Sequence, residues 1–242
     1  MSTHQLYRHV HVCFIEDFAL FLDSLHGKYF ALGGDQKRAF LRLITGAVHT
    51  PPIDSNGKPV ETTDGLDEFV CQQLEARGFI TNEPKYGKPL FPVAIAPATR
   101  ILADETFDRH ITPGATAVAR AALALTRAKV ELSAFSLSSI GSHIQARKQR
   151  HPRLADYTGS ARTRDLLQVY FRLRPFFFSS QNECLLDSLA LVHFLAGYRL
   201  FPHLLIGVRL NPFSAHSWVQ MDDAVLNDSV EHVNFFTPIF AV

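Results

Sequence analysis

At 242 residues the chain has room for one large domain or two small ones of roughly 150 residues or fewer. An apolar content of 47%, a charged content of 19% and 20 phenylalanines suit a sizeable core and exclude a disordered chain. Lys and Arg number 24 against 23 Asp and Glu, and the resulting +1 excludes attachment to nucleic acid or anionic lipid by bulk charge. No run approaches the roughly eighteen apolar residues of a membrane helix. Residues 1–10 lack the charged-then-apolar layout of a signal peptide, so a soluble, cytoplasmic protein is expected. Cys13, Cys71 and Cys184 lie far apart with no CxxC, which indicates neither a disulfide framework nor a cysteine zinc site.

The opening reads as three short strands. Val10, Val12 and Phe14 alternate with His9, His11 and Cys13, the period of a half-buried strand. Turns at Glu16-Asp17 and His26-Gly27 separate it from strands over residues 18–22 and 28–32. Gly33-Gly34 breaks the sheet, and Asp35 offers an N-cap to a helix with Ala39, Phe40, Leu43 and Ile44 on one stripe. Pro51-Pro52 and Ser55-Asn56-Gly57 form a loop. A second helix starts near Asp64, carries Leu66, Phe69, Val70 and Leu74 on one face, and stops at Gly78. Residues 79–81 return as a strand. A three-stranded meander plus two helices and a returning strand predicts a winged-helix-like module over residues 1–83. His9, His11 and Cys13 share a strand face, but no further ligand follows at a useful spacing, and a solvated face with no metal is expected.

Pro84, Pro89, Pro92 and Pro97 exclude a helix and mark residues 84–112 as a Pro-rich linker that packs against a domain. A long helical stretch follows Pro113-Gly114, with Val118, Ala121, Ala122, Leu125, Ala128 and Leu132 in helical spacing. After a break near Ser136 it continues through Leu137, Ile140 and Ile144. The cluster Arg147, Lys148, Arg150 and Arg153 reads as a solvated helix end in a near-neutral chain. Residues 161–173 form a helix with Leu166, Leu167, Tyr170 and Leu173 inward, and Pro175 ends it.

The polar loop over residues 179–183 opens a helix running to about Ala196, which places Cys184 in a first helical turn. There the dipole and free N–H groups favour a thiolate, although a buried structural cysteine is the other reading of such a position. Residues 203–210 are a nearly continuous apolar run, as in a strand buried on both faces, and residues 214–220 alternate as a second strand. His216 and Asp228 are equidistant from residue 222, so an antiparallel hairpin turning there sets them opposite or one step apart, about 5 Å between Cβ atoms. The absence of Gly from Asp222-Asp223-Ala224 favours a longer loop over a tight turn. A thiolate beside an imidazole that a carboxylate holds in one tautomer is the arrangement of a Cys-His-Asp triad.

The residues 182–191 (NECLLDSLAL), Gly207-Val208, Pro212-Phe213, 215–219 (AHSWV) and 225–228 (VLND), with 32 residues from Cys to His and 12 from His to Asp, resemble the catalytic half of the lasso-peptide B proteins. That resemblance implies a transglutaminase-like cysteine protease that removes the leader from a lasso-peptide precursor. In this reading Cys184 is the nucleophile, His216 the general base and later acid, and Asp228 the residue orienting it. The Cys184 N–H forms the oxyanion site, with Gln181 a candidate second donor whose register differs from the papain pattern. Trp218 either roofs the triad or is an ordinary core residue, and Ser188 either lines the site or bonds back to the preceding turn. His193 reads as structural. The front half resembles the precursor-recognition module of such proteins. It would bind the leader as an added strand beside residues 28–32, with Lys28, Tyr29, Phe30, Ala31, Leu74 and Arg77 as the candidate contacts. The implied partners are the precursor peptide and an asparagine-synthetase-like, ATP-using cyclase; no cofactor is expected in this chain, and no nucleic acid or membrane.

The expected architecture is therefore α+β: the winged-helix-like module, a helical middle, and over residues 113–242 a transglutaminase- or papain-like domain with an antiparallel sheet. Two alternatives stay open. An acyltransferase or transglutaminase would use the same triad with an amine acceptor. A winged-helix DNA-binding regulator is the other, against which stand Asp67, Glu68 and Glu75 on the second helix, the wrong balance for phosphate.

Overall fold

Period-two alternation in the first thirty residues becomes an antiparallel meander of β2 (Val10–Ile15), β3 (Phe18–Asp23) and β4 (Lys28–Gly33), preceded by β1 (Gln5–Tyr7). The computed structural model describes residues 4–46, 64–102, 112–150, 161–176 and 183–242. The loop expected at Pro51-Pro52 and Ser55–Gly57, Arg153 of the basic cluster and Gln181 lie outside the described residues. Two compact units divide the chain between Pro92 and Val93.

In the first unit β3 is the central strand of the meander, pairing Phe21 with Val12 on one side and with Phe30 on the other. Gly27 takes φ +67 at the second turn, where the Asp23 carboxylate accepts the N–H groups of Leu25 and His26 at 2.9 and 3.1 Å. Helix α1 (Gly34–Thr45) starts two residues earlier than expected: Gly33 occupies the N-cap position, and Asp35 lies in the first turn. Gly34, at φ +53, makes that early entry possible. Helix α2 (Asp64–Ala76) buries Val70 and Leu74 and packs Leu66 beside them, but Phe69 is turned out and is half exposed. Leu66, Val70 and Leu74 follow i, i+4, i+8 spacing, and residue 69 falls off that stripe. Arg42 of α1 reaches Asp67 of α2 through Nε at 2.9 Å. Phe21, Phe40 and Phe79 meet at the core, with 4.9 Å between the first two ring centroids.

The returning strand does not join the meander. β5 (Ile80–Thr81) and β6 (Gly87–Lys88) flank β1 in a second small sheet, so the first nine residues of the expected linker belong to this unit. β1 is too short to show a period in the sequence. The His9, His11 and Cys13 face is also not solvated: Cys13 is buried, and His11 Nε2 lies 3.2 Å from Ser24 Oγ. The Ser24 hydroxyl donates to the His9 carbonyl, so His11 Nε2–H donates to it and Nδ1 faces Lys88 Nζ at 3.5 Å. Burial together with Lys88 pushes the His11 pKa down to about 3. The second small sheet covers this side of β2, which sequence periodicity cannot reveal.

In the second unit the remaining linker residues supply β7 (Arg100–Ile101). Helices α3 (Ala115–Ala134), α4 (Leu137–Arg150), α5 (Ala161–Leu173) and α6 (Cys184–Ala196) follow, with a 3-10 turn at Arg174–Phe176 before α6. Then come β8 (His203–Arg209), β9 (Ser214–Met221), β10 (Ala224–Val225), the one-turn α7 (Val230–Val233) and β11 (Thr237–Ala241). The sheet order is β11-β8-β9-β10-β7, antiparallel except that β7 lies parallel to β10, so the expected antiparallel sheet has one parallel edge. On α3 the buried stripe is Ala121, Ala124, Ala128 and Glu131; Val118 and Ala122 of the expected stripe face out. Small side chains on that stripe let α3 pack closely on α6, whose residues from Asp187 to Ala196 are all buried.

Candidate active site

Cys184 is the first residue of α6, and Asp187 N–H donates to the Glu183 carbonyl to close the first turn. The thiol interacts with His216 and with Ser217 of β9, the strand on which α6 packs. His216 Nε2 lies 2.5 Å from Asp228 Oδ2. With Nε2 occupied by the carboxylate, Nδ1 is the ring nitrogen left for the thiol. The structure thus brings together the three residues chosen from the sequence, though by a different turn. Ala224 pairs with Met221, which leaves the two-residue turn Asp222-Asp223 and shifts the register by one residue from the expected centre. Asp222 adopts φ +54, a left-handed conformation that Asp tolerates, so the missing Gly did not lengthen the loop. β10 then stops at Val225, and the Leu226 N–H and the Asn227 side chain continue the pairing along β9.

These contacts set the charges. The hydrogen bond from His216, aided by Ser217 and opposed by burial, brings the Cys184 pKa down to about 7. Burial disfavours a charged His216 ring, but the hydrogen bonds and charges of Asp228 and Cys184 outweigh it and push the pKa up to about 9. Asp228 is partly buried too, yet hydrogen bonds from His216, His232 and the Ser229 N–H hold it below the usual carboxylate range. Between about pH 7 and 9 the pair is therefore a thiolate facing an imidazolium.

A second layer holds this layer in place. His232, on α7, puts Nδ1 2.9 Å from Asp228 Oδ2, and Ser229 caps α7 by accepting the His232 N–H. Asn227 accepts the Val219 N–H at 2.8 Å and donates to Ser188 Oγ at 3.0 Å. Ser188 in turn donates to the Ser217 carbonyl at 3.1 Å. It neither lines the site nor bonds back along the helix; it ties α6 to β9. Asp187 is buried, which pushes its pKa up; Arg174 at 3.0 Å and the Tyr170 hydroxyl at 3.1 Å partly offset that. Sequence reasoning left His232, Asn227, Tyr170 and Arg174 without a role. Only His232 carried a usable signal, four residues after Asp228. Trp218 is buried, stacks at 13° to the His216 ring with 6.3 Å between centroids, and donates Nε1–H to Gln220 Oε1. Gly207, opposite His216, makes room for it: a Cβ there would sit 2.8 Å from the indole and from Phe236 Cβ. His193 lies elsewhere, its Nε2 2.8 Å from Glu131 in the core.

Cys184, His216 and Asp228 are thus presented by a helix start, a strand and the segment after the next strand. Residues 122–241 match the transglutaminase-like superfamily. The C-terminal half of the chain is a transglutaminase-like domain. Over 63 residues this chain is 40% identical to the microcin J25-processing protein McjB of Escherichia coli. That match covers 26% of this chain and 28% of the relative, so it spans little more than a quarter of either protein. No solved structure gives a significant match.

In the first unit β4 is an edge of its sheet, with Lys28 and Ala31 exposed and Tyr29 and Phe30 half-buried. The Arg77 guanidinium lies 4.3 Å from the centre of the Phe30 ring. Leu74 is fully buried in the core and is removed from the candidate peptide contacts. None of the described helices is long and apolar enough to cross a membrane.

Proposed function

We propose that the protein is a cysteine peptidase that removes the leader from a lasso-peptide precursor. The observation that carries this reading is the Cys184–His216–Asp228 chain of hydrogen bonds inside a transglutaminase-like domain. The partial identity to a microcin-processing protein directs it to a ribosomal peptide. The Cys184 thiolate attacks the carbonyl carbon of the leader–core amide, and the oxyanion meets the backbone N–H of Cys184. His216 gives its proton to the leaving core amine, which leaves the leader acylated on Cys184. His216, now neutral, takes a proton from water as the water attacks the thioester, and the leader is released. Asp228 fixes the ring so that one nitrogen always faces the thiol. The exposed edge of β4, beside Phe30 and Arg77, takes the leader as an added strand, and the freed core passes to an ATP-using, asparagine-synthetase-like cyclase.

Incubating the protein with a precursor peptide and weighing the products tests this. Hydrolysis gives free leader and free core, and Cys184→Ala gives neither. A superfamily named for transglutamination favours one second reading, acyl transfer to an amine. It is adopted instead if added amine appears covalently on the leader fragment.

A further inference from the structure

Far from the thiol of the active site in sequence, a second thiol has company of a different kind. His4 lies immediately before β1, and its Nε2 is 3.4 Å from Cys71 Sγ and 3.4 Å from Glu75 Oε1. Cys71 and Glu75 are four residues apart on α2, so they share a helix face. The thiol also hydrogen-bonds to Glu75, and all three ligand atoms lie within 4.8 Å of one another. We propose that His4, Cys71 and Glu75 form a binding site for a thiophilic divalent transition metal, of which Zn²⁺ is the type, with a fourth position open to water.

The spacing is that of a coordination shell as well as of a hydrogen-bonded cluster. Ligands about 2.0–2.3 Å from a tetrahedral Zn²⁺ sit roughly 3.3–3.6 Å from one another, and both His4 distances fall in that interval. The donor set is one soft thiolate, one imidazole and one carboxylate, which selects Zn²⁺ over Mg²⁺ or Ca²⁺. Binding the metal would displace the Cys71 thiol proton, as at any cysteine ligand. Two of the three ligands come from one regular helix, and the third is fixed by the two-sided pairing of β1. The metal would pin the segment entering β1 to α2, joining the first residues of the unit to its second helix. His216, Asp228 and His232 also cluster closely enough to meet a cation, but they contain no thiolate and are engaged with one another.

Co²⁺ titration of the full-length Cys184→Ala protein is the test, because that background leaves buried Cys13 and Cys71 as its only thiols. One equivalent of Co²⁺ should produce a thiolate-to-cobalt charge-transfer band in the near ultraviolet and the intense visible bands of a four-coordinate ion. Zn²⁺ should displace both. Adding Cys71→Ser should abolish the charge-transfer band, and His4→Ala or Glu75→Gln should weaken Co²⁺ binding by about tenfold or more. All three substitutions are at partly or fully exposed positions, and the circular dichroism of each variant should match that of the parent protein. A saturated Co²⁺ titration with no thiolate band, or a band that survives Cys71→Ser, overturns the proposal.

Discussion

Asp228 accepts hydrogen bonds from two histidines, and the two do different work. His216 faces the thiol, whereas His232 is half exposed and meets both oxygens of the carboxylate and the rings around it. The pKa directions give the pH profile its sign. Activity should rise with pH as the Cys184 thiol ionises near 7 and fall as His216 loses its proton near 9, both being macroscopic values of one coupled pair. A profile of kcat/KM against pH that rises only above 8.5, as for an ordinary thiol, would show that the hydrogen bond to His216 is not made in solution. Removing His216 takes away base and acid together and should cost about 10²–10⁴ in kcat. His232→Ala should cost less than His216→Ala. Because it withdraws a hydrogen bond from Asp228, it should also alter the alkaline limb while KM stays constant. A His232→Ala profile that superimposes on wild type would reduce that residue to a helix-capping neighbour.

At the scale of elements, the site depends on how β8 and β9 let an indole lie flat. Gly207 faces His216 across the pair, and Trp218 leans over it toward the imidazole. Gly207→Ala should therefore cost about 1–3 kcal/mol by overpacking and push the indole off His216. Trp218 is the chain's one tryptophan, so its emission reports both changes. A denaturation midpoint and an emission spectrum unchanged by Gly207→Ala would refute this account of the glycine. Much of this region was legible in the sequence because it follows short-range rules: the helix start at Cys184, the apolar run of β8 and the alternation of β9. Even the error at the turn was local, since Asp222 accepted a left-handed φ that the composition argued against. What stayed hidden was set by tertiary contact. Asn227 works by holding Val219 and Ser188 at once, Asp187 is stabilised by Tyr170 and Arg174 from other elements, and β7 gains its strand identity only by lying beside β10. In the first unit the same applies to β1, three residues long, and to the buried face of His11 and Cys13.

Over the whole molecule, the division at Pro92 and Val93 separates the core built on Phe21, Phe40 and Leu74 from the packing of α3, α5, α6 and the five-stranded sheet. Cys184, His216 and Asp228 all lie in the second unit, and the exposed β4 edge lies in the first. Chemistry and recognition are thus separable if the proposed function is correct. Residues 1–92 alone should bind a labelled leader peptide, and the full-length Cys184→Ala protein should bind it about equally well. Residues 93–242 should bind poorly and cleave slowly with the three residues intact, because binding the leader on the same chain raises the effective concentration of the scissile bond. Phe30→Pro deletes an edge N–H in full-length protein and should weaken binding, yet leave alkylation of Cys184 by a small reagent as fast as in wild type, since that rate depends on the thiolate alone. Fluorescence anisotropy and alkylation kinetics on the same samples decide it. Undiminished leader binding by residues 93–242 would transfer recognition to the catalytic unit and leave the β4 edge with another partner.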